Sequence, residues 1–208
     1  WLLPGEAQLM GRELMPALAL HAPGVEWRWN TCVARVAPYT LAVEGEATQR
    51  FDLVIDARGV GARPDLPVRG VRGEVVWLHA PGVRLQRPLR LLHPRHRVYL
   101  VPRPGDLFVV GASEVESEDR SPVSLRSATE LMAAAHSVVP ALAEARILKL
   151  DVNLRPALPD NAPHTEHGER LLRINGLFRH GWLIAPALVE NALETLGLNT
   201  PEQEIAHV

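Results

Sequence analysis

Phe51-Asp52-Leu53-Val54-Ile55-Asp56-Ala57-Arg58-Gly59-Val60-Gly61-Ala62-Arg63 is the stretch on which the fold class turns. Its first six residues read as a buried strand and the glycines after them as a turn. A buried strand ending in a glycine turn is where an open α/β sheet places its ligands. Gly59-Val60-Gly61 is only a fragment of a dinucleotide fingerprint and stands far from the N-terminus, so it identifies nothing alone.

Upstream, residues 4–21 read as a helix, because Leu9, Met10, Leu14, Met15 and Leu18 recur at near-helical spacing and Ala22-Pro23-Gly24 supplies a stop. Strands are expected over residues 25–30, where Val25, Trp27 and Trp29 alternate with other side chains, and over 31–36 and 40–43. Downstream, the Pro-, Gly- and Arg-rich residues 64–72 suggest a crossing between domains. Residues 74–79, 98–101 and 107–110 then read as antiparallel strands, the last two joined by a hairpin at Pro104-Gly105-Asp106.

Ser121-Pro122 opens a helix carrying Leu125, Leu131, Met132 and Ala135, which Pro140 ends. Residues 147–154 are a further strand, 159–169 a polar loop, and 171–174 a short strand. A glycine-punctuated turn over 175–185 leads into a last helix over 186–196, capped by Gly197. The expectation is a mixed α/β (α+β) fold, a partial α/β domain interleaved with a mostly antiparallel sheet flanked by helices. Its segments would be 1–66, 67–154 and 155–208.

With 208 residues, 47% hydrophobic and 22% charged, the chain has the composition of one or two folded domains and excludes disorder and coiled coil. No apolar run reaches membrane-spanning length, and 22 basic against 24 acidic residues give a net charge of −2, so neither a membrane nor nucleic acid is an expected partner. All the basic residues but Lys149 are arginines, which reads as codon bias. The single cysteine, Cys32, fits a reducing, cytoplasmic setting and reads as a buried, inert thiol between Thr31 and Val33. The chain opens on Trp1 without a signal-peptide pattern and is expected to be part of a longer polypeptide.

Two features are chemical candidates. In Asn175-Gly176-Leu177-Phe178-Arg179-His180-Gly181-Trp182-Leu183-Ile184-Ala185-Pro186, glycines allow backbone to approach a flat ligand, and the following helix offers unpaired N–H groups and a positive dipole end. An ordinary loop before an ordinary helix is the plainer reading of the same spacing. Arg155 and Arg179 each stand beside a Pro or Gly turn, and two converging guanidinium groups would anchor a small carboxylate. Taken singly, each is a surface residue. The nine histidines lack the Cys pair or acidic partners of a metal site, so no metal is expected. Hydrolase and triphosphatase motifs are absent.

Read together, these segments resemble the amino-acid oxidase family of flavoproteins, within it the glycine oxidases of bacterial thiamine biosynthesis. The resemblance is collinear over roughly residues 1–197 and rests on the opening stretch, Val68-Arg69-Gly70-Val71-Arg72-Gly73-Glu74-Val75, Leu91-Leu92-His93-Pro94-Arg95, Tyr99-Leu100-Val101-Pro102-Arg103 and Val110-Gly111-Ala112-Ser113-Glu114. Leu154-Arg155-Pro156-Ala157-Leu158-Pro159-Asp160-Asn161 and Asn175-Gly176-Leu177-Phe178-Arg179-His180-Gly181 complete it.

The resemblance implies an FAD enzyme that oxidises the amine of glycine or a similar small amino acid to the imine, with oxygen as acceptor and hydrogen peroxide as product. It implies Arg155, Arg179 and Tyr99 as substrate-binding residues, Arg155 being the partner of the substrate carboxylate. Val33, Leu177, Phe178, Arg179, His180, Gly181, Trp182 and Leu183 fall on its cofactor-contacting positions. No side-chain base is obligatory, since hydride leaves the α-carbon directly for the flavin. His180 and Trp182 differ from the residues of some relatives.

The glycine fingerprint that holds the FAD pyrophosphate has no counterpart before residue 50, so the chain reads as a C-terminal portion with an exposed sheet edge suited to a homo-oligomer. Sarcosine or another small secondary amine is the neighbouring substrate, and a cofactor-free binding module the reading from another class.

Overall fold

The computed structural model describes residues 2–5, 7–93 and 98–198. In chain order, α1 (Gly11–Leu20) precedes β1 (Val33–Ala37), β2 (Thr40–Val43), β3 (Gln49–Arg50) and β4 (Val54–Asp56), and a 3₁₀ turn spans Gly59–Ala62. The long β5 (Arg69–His79) is followed by β6 (Leu89–Arg90), β7 (Tyr99–Arg103), β8 (Leu107–Gly111) and α2 (Leu125–Val138). The chain continues through β9 (Arg146–Ala157), β10 (His164–Gly168), β11 (Leu171–Asn175) and α3 (Gly181–Thr195). The packing divides into two units, Trp1–Pro23 with Gly70–Arg155 and Gly24–Arg69 with Pro156–Val208.

The first unit is built on a five-stranded sheet in the order β6-β7-β8-β5-β9. β5 alternates buried and half-buried residues along its C-terminal half, which gives the sheet two unlike faces. Val76, Leu78, Leu100, Phe108 and Val110 point to one face and pack against Leu131, Ala134 and Ala135 of α2. Those α2 residues recur three and four apart and form one helix stripe. Ser124 caps α2, its side chain accepting from the Ser127 amide at 3.1 Å. The β7–β8 hairpin turns at Gly105 and Asp106, both with positive φ, as a short Gly-Asp turn requires.

In the second unit β1, β2 and β3 form an antiparallel meander, and β10-β11-β4 a sheet in which β4 runs parallel to β11. Val36, Val54 and Leu171 form a cluster on one side of that parallel pair. Leu172 and Ile174, pointing the other way along β11, pack with Ala192 of α3.

Several sequence expectations need correction. Residues 25–30 form no strand; Trp27 and Trp29 instead stack on each other, ring centroids 5.3 Å apart. The first helix is shorter than 4–21, running Gly11–Leu20 with no buried residue to hold further turns. The polar loop 159–169 contains β10, whose pairing with β11 overrides its polar composition. α3 begins at Gly181, five residues before the proline taken as its start, and Pro186 removes one rung of its ladder. Cys32 is exposed, lying just outside β1 with its thiol donating to Glu44 Oε1 at 3.1 Å. Pro94 and Arg95, the end of the Leu91-Leu92-His93-Pro94-Arg95 motif, lie outside the described residues.

Candidate functional site

In the first unit, the sheet face turned away from α2 carries Tyr99, Gly111, Val75 and Gly73. Strand register puts Tyr99 and Val75 each directly across from Gly111, so their side chains share one face, and Gly73 lies two residues along β5 on that face. The Tyr99 ring covers Gly111, where an added Cβ would sit 2.5 Å from the phenol oxygen. The Arg155 guanidinium, reaching from β9, covers Gly73 so closely that any Cβ there would collide with it. Both side chains lie across backbone that has been stripped of side chain to receive them.

Two backbone carbonyls hold Arg155, whose Nη1 donates to Ser113 O at 3.0 Å and to Arg72 O at 3.5 Å. The planar fork of a guanidinium matches a carboxylate. Tyr99 and Arg155 are thus brought to one face of one sheet. Trp77 is on that face too, its Nε1 donating to Asp151 Oδ2 at 2.9 Å with Lys149 and Arg12 against its ring.

Beneath this face, Glu74 is fully buried. Burial alone would raise its carboxyl, but hydrogen bonds from Ser127, Ser113, Arg72 and the Ser124 amide outweigh it and hold the group at about 2. The sequence offered only a Gly-Glu pair in a strand; burial of the acid was the missing information.

In the second unit, the parallel strands β4 and β11 both end in glycine turns with positive φ, at Gly59 and Gly176. Asn175 ties the two together: its Nδ2 donates to Gly59 O at 3.0 Å and its Oδ1 accepts from Gly176 N at 2.8 Å. Asp56, ending β4, accepts a bidentate pair from Arg58 at 2.9 and 2.8 Å. Burial pushes the Asp56 carboxyl up, and the Arg58 guanidinium and amide more than reverse that, leaving it below its ordinary value. Neither Asn175 nor Asp56 was singled out from sequence, although an Asn before a Gly turn carries a local signal.

Residues 177–180 form the turn into α3, whose first residues are Gly181, Trp182 and Leu183. Phe178 takes a positive φ, and its amide donates to Pro156 O at 3.0 Å. Leu177 turns inward onto Leu172, Ile174 and Ala192, whereas Arg179, His180, Trp182 and Leu183 are exposed. Val33 packs with Val36, Val54 and Leu171 on the opposite face of the β4–β11 pair, so the structure does not bring it to the α3 turn. Between the pair and α3 runs an apolar groove of about 310 Å³ lined by Ile55, Leu172, Ile174, Ala185, Val189 and Leu193 among others. The last three recur every four residues, a stripe legible in the sequence once α3 is known to start early.

The N-terminus of α3 has no side-chain cap and no acidic residue in its first turn. A 15-residue helix presenting its positive end beside apolar Leu177 and Trp182 suits a flat ring with negative character, so the residues present fit the isoalloxazine part of a flavin. Among the described residues, no group of three His, Cys, Asp or Glu side chains is placed to hold a metal.

The profile of the family described as FAD dependent oxidoreductase matches residues 1–191. A Rhizobium etli protein that carries the name thiamine biosynthesis oxidoreductase ThiO is 42% identical over 184 residues, covering 88% of this chain and 53% of that protein. The crystal structure of the glycine oxidase of Geobacillus kaustophilus aligns with a TM-score of 0.65 at 28% identity, covering 80% of this chain and 47% of that one. The fold is shared with the glycine oxidase of Bacillus cereus, TM-score 0.69 at 24% identity over 83% of this chain and 51% of that one. The chain therefore spans about half the length of the relatives it matches.

Proposed function

The chain belongs to the FAD-dependent oxidoreductase family, and from that premise we propose that it serves an enzyme oxidising the amine of glycine or a similar small amino acid. The product is the imine, which water converts to the 2-oxo acid and ammonia, and the setting is thiamine biosynthesis in the cytoplasm. The unit Trp1–Pro23 with Gly70–Arg155 is the substrate-binding part, and Gly24–Arg69 with Pro156–Val208 the flavin-binding part.

The observation that carries the reading is that Arg155 over Gly73 and Tyr99 over Gly111 lie on the same sheet face. Arg155 pairs with the substrate carboxylate and Tyr99 walls the pocket. FAD, when bound, accepts the hydride from the α-carbon and passes the electron pair to oxygen, which leaves as hydrogen peroxide. The protein's share is to hold the amino acid by its carboxylate so that the α-carbon is presented in one orientation, and to release the amine proton to solvent. Residues 177–183 would hold the cofactor's ring, and Val33, on the opposite face of the β4–β11 pair, a different part of it. Ile55 on the edge strand β4, about half exposed, supports a homo-oligomer.

Arg155→Ala in the FAD-loaded protein tests the assignment. Loss of a carboxylate partner costs about 2 kcal/mol or more, so KM for glycine rises on the order of 30-fold. An unchanged KM overturns the reading, and rates on glycine, sarcosine and larger amino acids rank the substrates.

A further inference from the structure

Among the described residues, Glu74 is the one fully buried carboxylate of the substrate-side sheet, and the oxidation of an amine gives it no direct part. Its side chain lies on the α2 face of β5, opposite to the face on which Arg155 covers Gly73. Both carboxylate oxygens are nonetheless engaged. Oε1 accepts from Arg72 Nε at 3.0 Å, from Arg72 Nη2 at 2.8 Å and from the Ser124 amide at 3.1 Å. Oε2 accepts from Ser113 Oγ at 2.8 Å.

Ser113 is held to the same residue at two further points, its Oγ accepting from Glu74 N at 3.0 Å and its amide donating to Glu74 O at 3.1 Å. Arg72 is fixed as firmly, since its guanidinium also donates to the carbonyls of Asp119 and Pro122 and its main chain pairs both ways with Val115. The two residues clamped by the Glu74 carboxylate, Arg72 and Ser113, are those whose carbonyls hold Arg155 on the far face. A packed strand transmits such a constraint because its backbone cannot shift on one face without the other.

We propose that Glu74 is a positioning residue for substrate recognition: through Ser113 and Arg72 it fixes the two carbonyls that aim the Arg155 guanidinium at the substrate carboxylate. The proposal rests on Arg155 being that carboxylate's partner. A merely structural Glu74 would lower stability and leave carboxylate affinity alone.

The test compares Ser113→Ala, Ser113→Thr, Glu74→Gln and Arg155→Ala in the FAD-loaded protein. Acetate binding is measured by calorimetry, KM and kcat for glycine are measured separately, and melting temperature is recorded for each. Ser113→Ala removes both bonds of the Ser113 hydroxyl to Glu74 and keeps the Arg72–Glu74 pair, so it remains informative if Glu74→Gln fails to fold.

Losing the hydroxyl and its bonds to Glu74 weakens acetate binding roughly two- to tenfold, with the change falling on KM more than on kcat. Ser113→Thr, which keeps the hydroxyl, restores affinity. If Arg155→Ala weakens acetate binding while Ser113→Ala and any folded Glu74→Gln bind it as the parent does, the relay is overturned and the site reading stands. If Arg155→Ala itself leaves acetate binding unchanged, the site reading falls and the relay with it.

Discussion

At the scale of single residues, what this protein leaves out matters as much as what it presents. Gly73 is an internal strand position where any side chain would be tolerated by the ladder, and glycine weakens a strand. It is there because Arg155 lies on its backbone. Gly73→Ala is therefore expected to displace the guanidinium and raise KM for glycine severalfold, with a smaller effect on melting temperature; steady-state kinetics beside a thermal melt checks it, and an unchanged KM contradicts it.

Glu74 makes a second prediction at this scale. Its carboxyl sits at about 2 against an ordinary 4.5, and a depressed folded value adds stability above the ordinary one that is lost as pH falls through the folded one. This group contributes about 3 kcal/mol at neutral pH, and the contribution declines between pH 4.5 and about 2. Glu74→Gln should thus be less stable at pH 7 and show a flatter profile of urea midpoint over that acid window. An acid slope identical to the parent's would contradict the assignment. Cys32 shows why local sequence misleads for single side chains: apolar neighbours suggested burial, but the thiol is exposed, and Glu44 raises it above its ordinary 9.0, first by accepting its hydrogen bond.

At the scale of elements, those with a strong local signal exist as the sequence puts them, with shifted ends (α2 begins at Leu125 and not at Ser121-Pro122), and those that depend on partners do not. The turn residues Gly105 and Asp106 specify the β7–β8 hairpin by their own conformational preferences. Ser124 starts α2 by a local bond to Ser127 N, and its own amide binds the Glu74 carboxylate. Ser124→Ala should destabilise the protein by about 1 kcal/mol, measured by chemical denaturation, with no loss of α2 beyond its first turn by circular dichroism.

Conversely, β10 is polar by composition and exists because β11 offers a register from His164 opposite Asn175 to Gly168 opposite Leu171. Residues 25–30 alternate correctly and form no strand. Pairing partners, which a period of two does not name, decided both cases.

At the scale of the molecule, the two units are each assembled from segments far apart in sequence, with residues up to Pro23 joining Gly70–Arg155. No helix among the described residues is long and apolar enough to cross a membrane. The chain carries the α3 turn and the sheet face of the proposed site but no Gly-x-Gly-x-x-Gly to cradle a pyrophosphate. Visible absorbance of the purified 208-residue chain after incubation with FAD and gel filtration separates two outcomes. Retained yellow bands that bleach on anaerobic glycine are expected if the fit at α3 and Arg155 suffices; a colourless protein assigns cofactor retention to the glycine fingerprint.

The sequence alone determined the mixed α/β class, the glycine turn after Asp56, the hairpin, the middle helix and the flavoenzyme family, because these rest on local turn chemistry, periodicity and collinear motifs. It also named Tyr99 and Arg155 as candidates. Only the tertiary structure decided that they share a face, that Gly73 and Gly111 are vacant to admit them, that Asn175 ties Gly59 to Gly176, and that Glu74 is buried beneath the carbonyls holding Arg155. Each of these joins residues dozens of positions apart, and such pairings are set by strand register and packing, which no local pattern encodes.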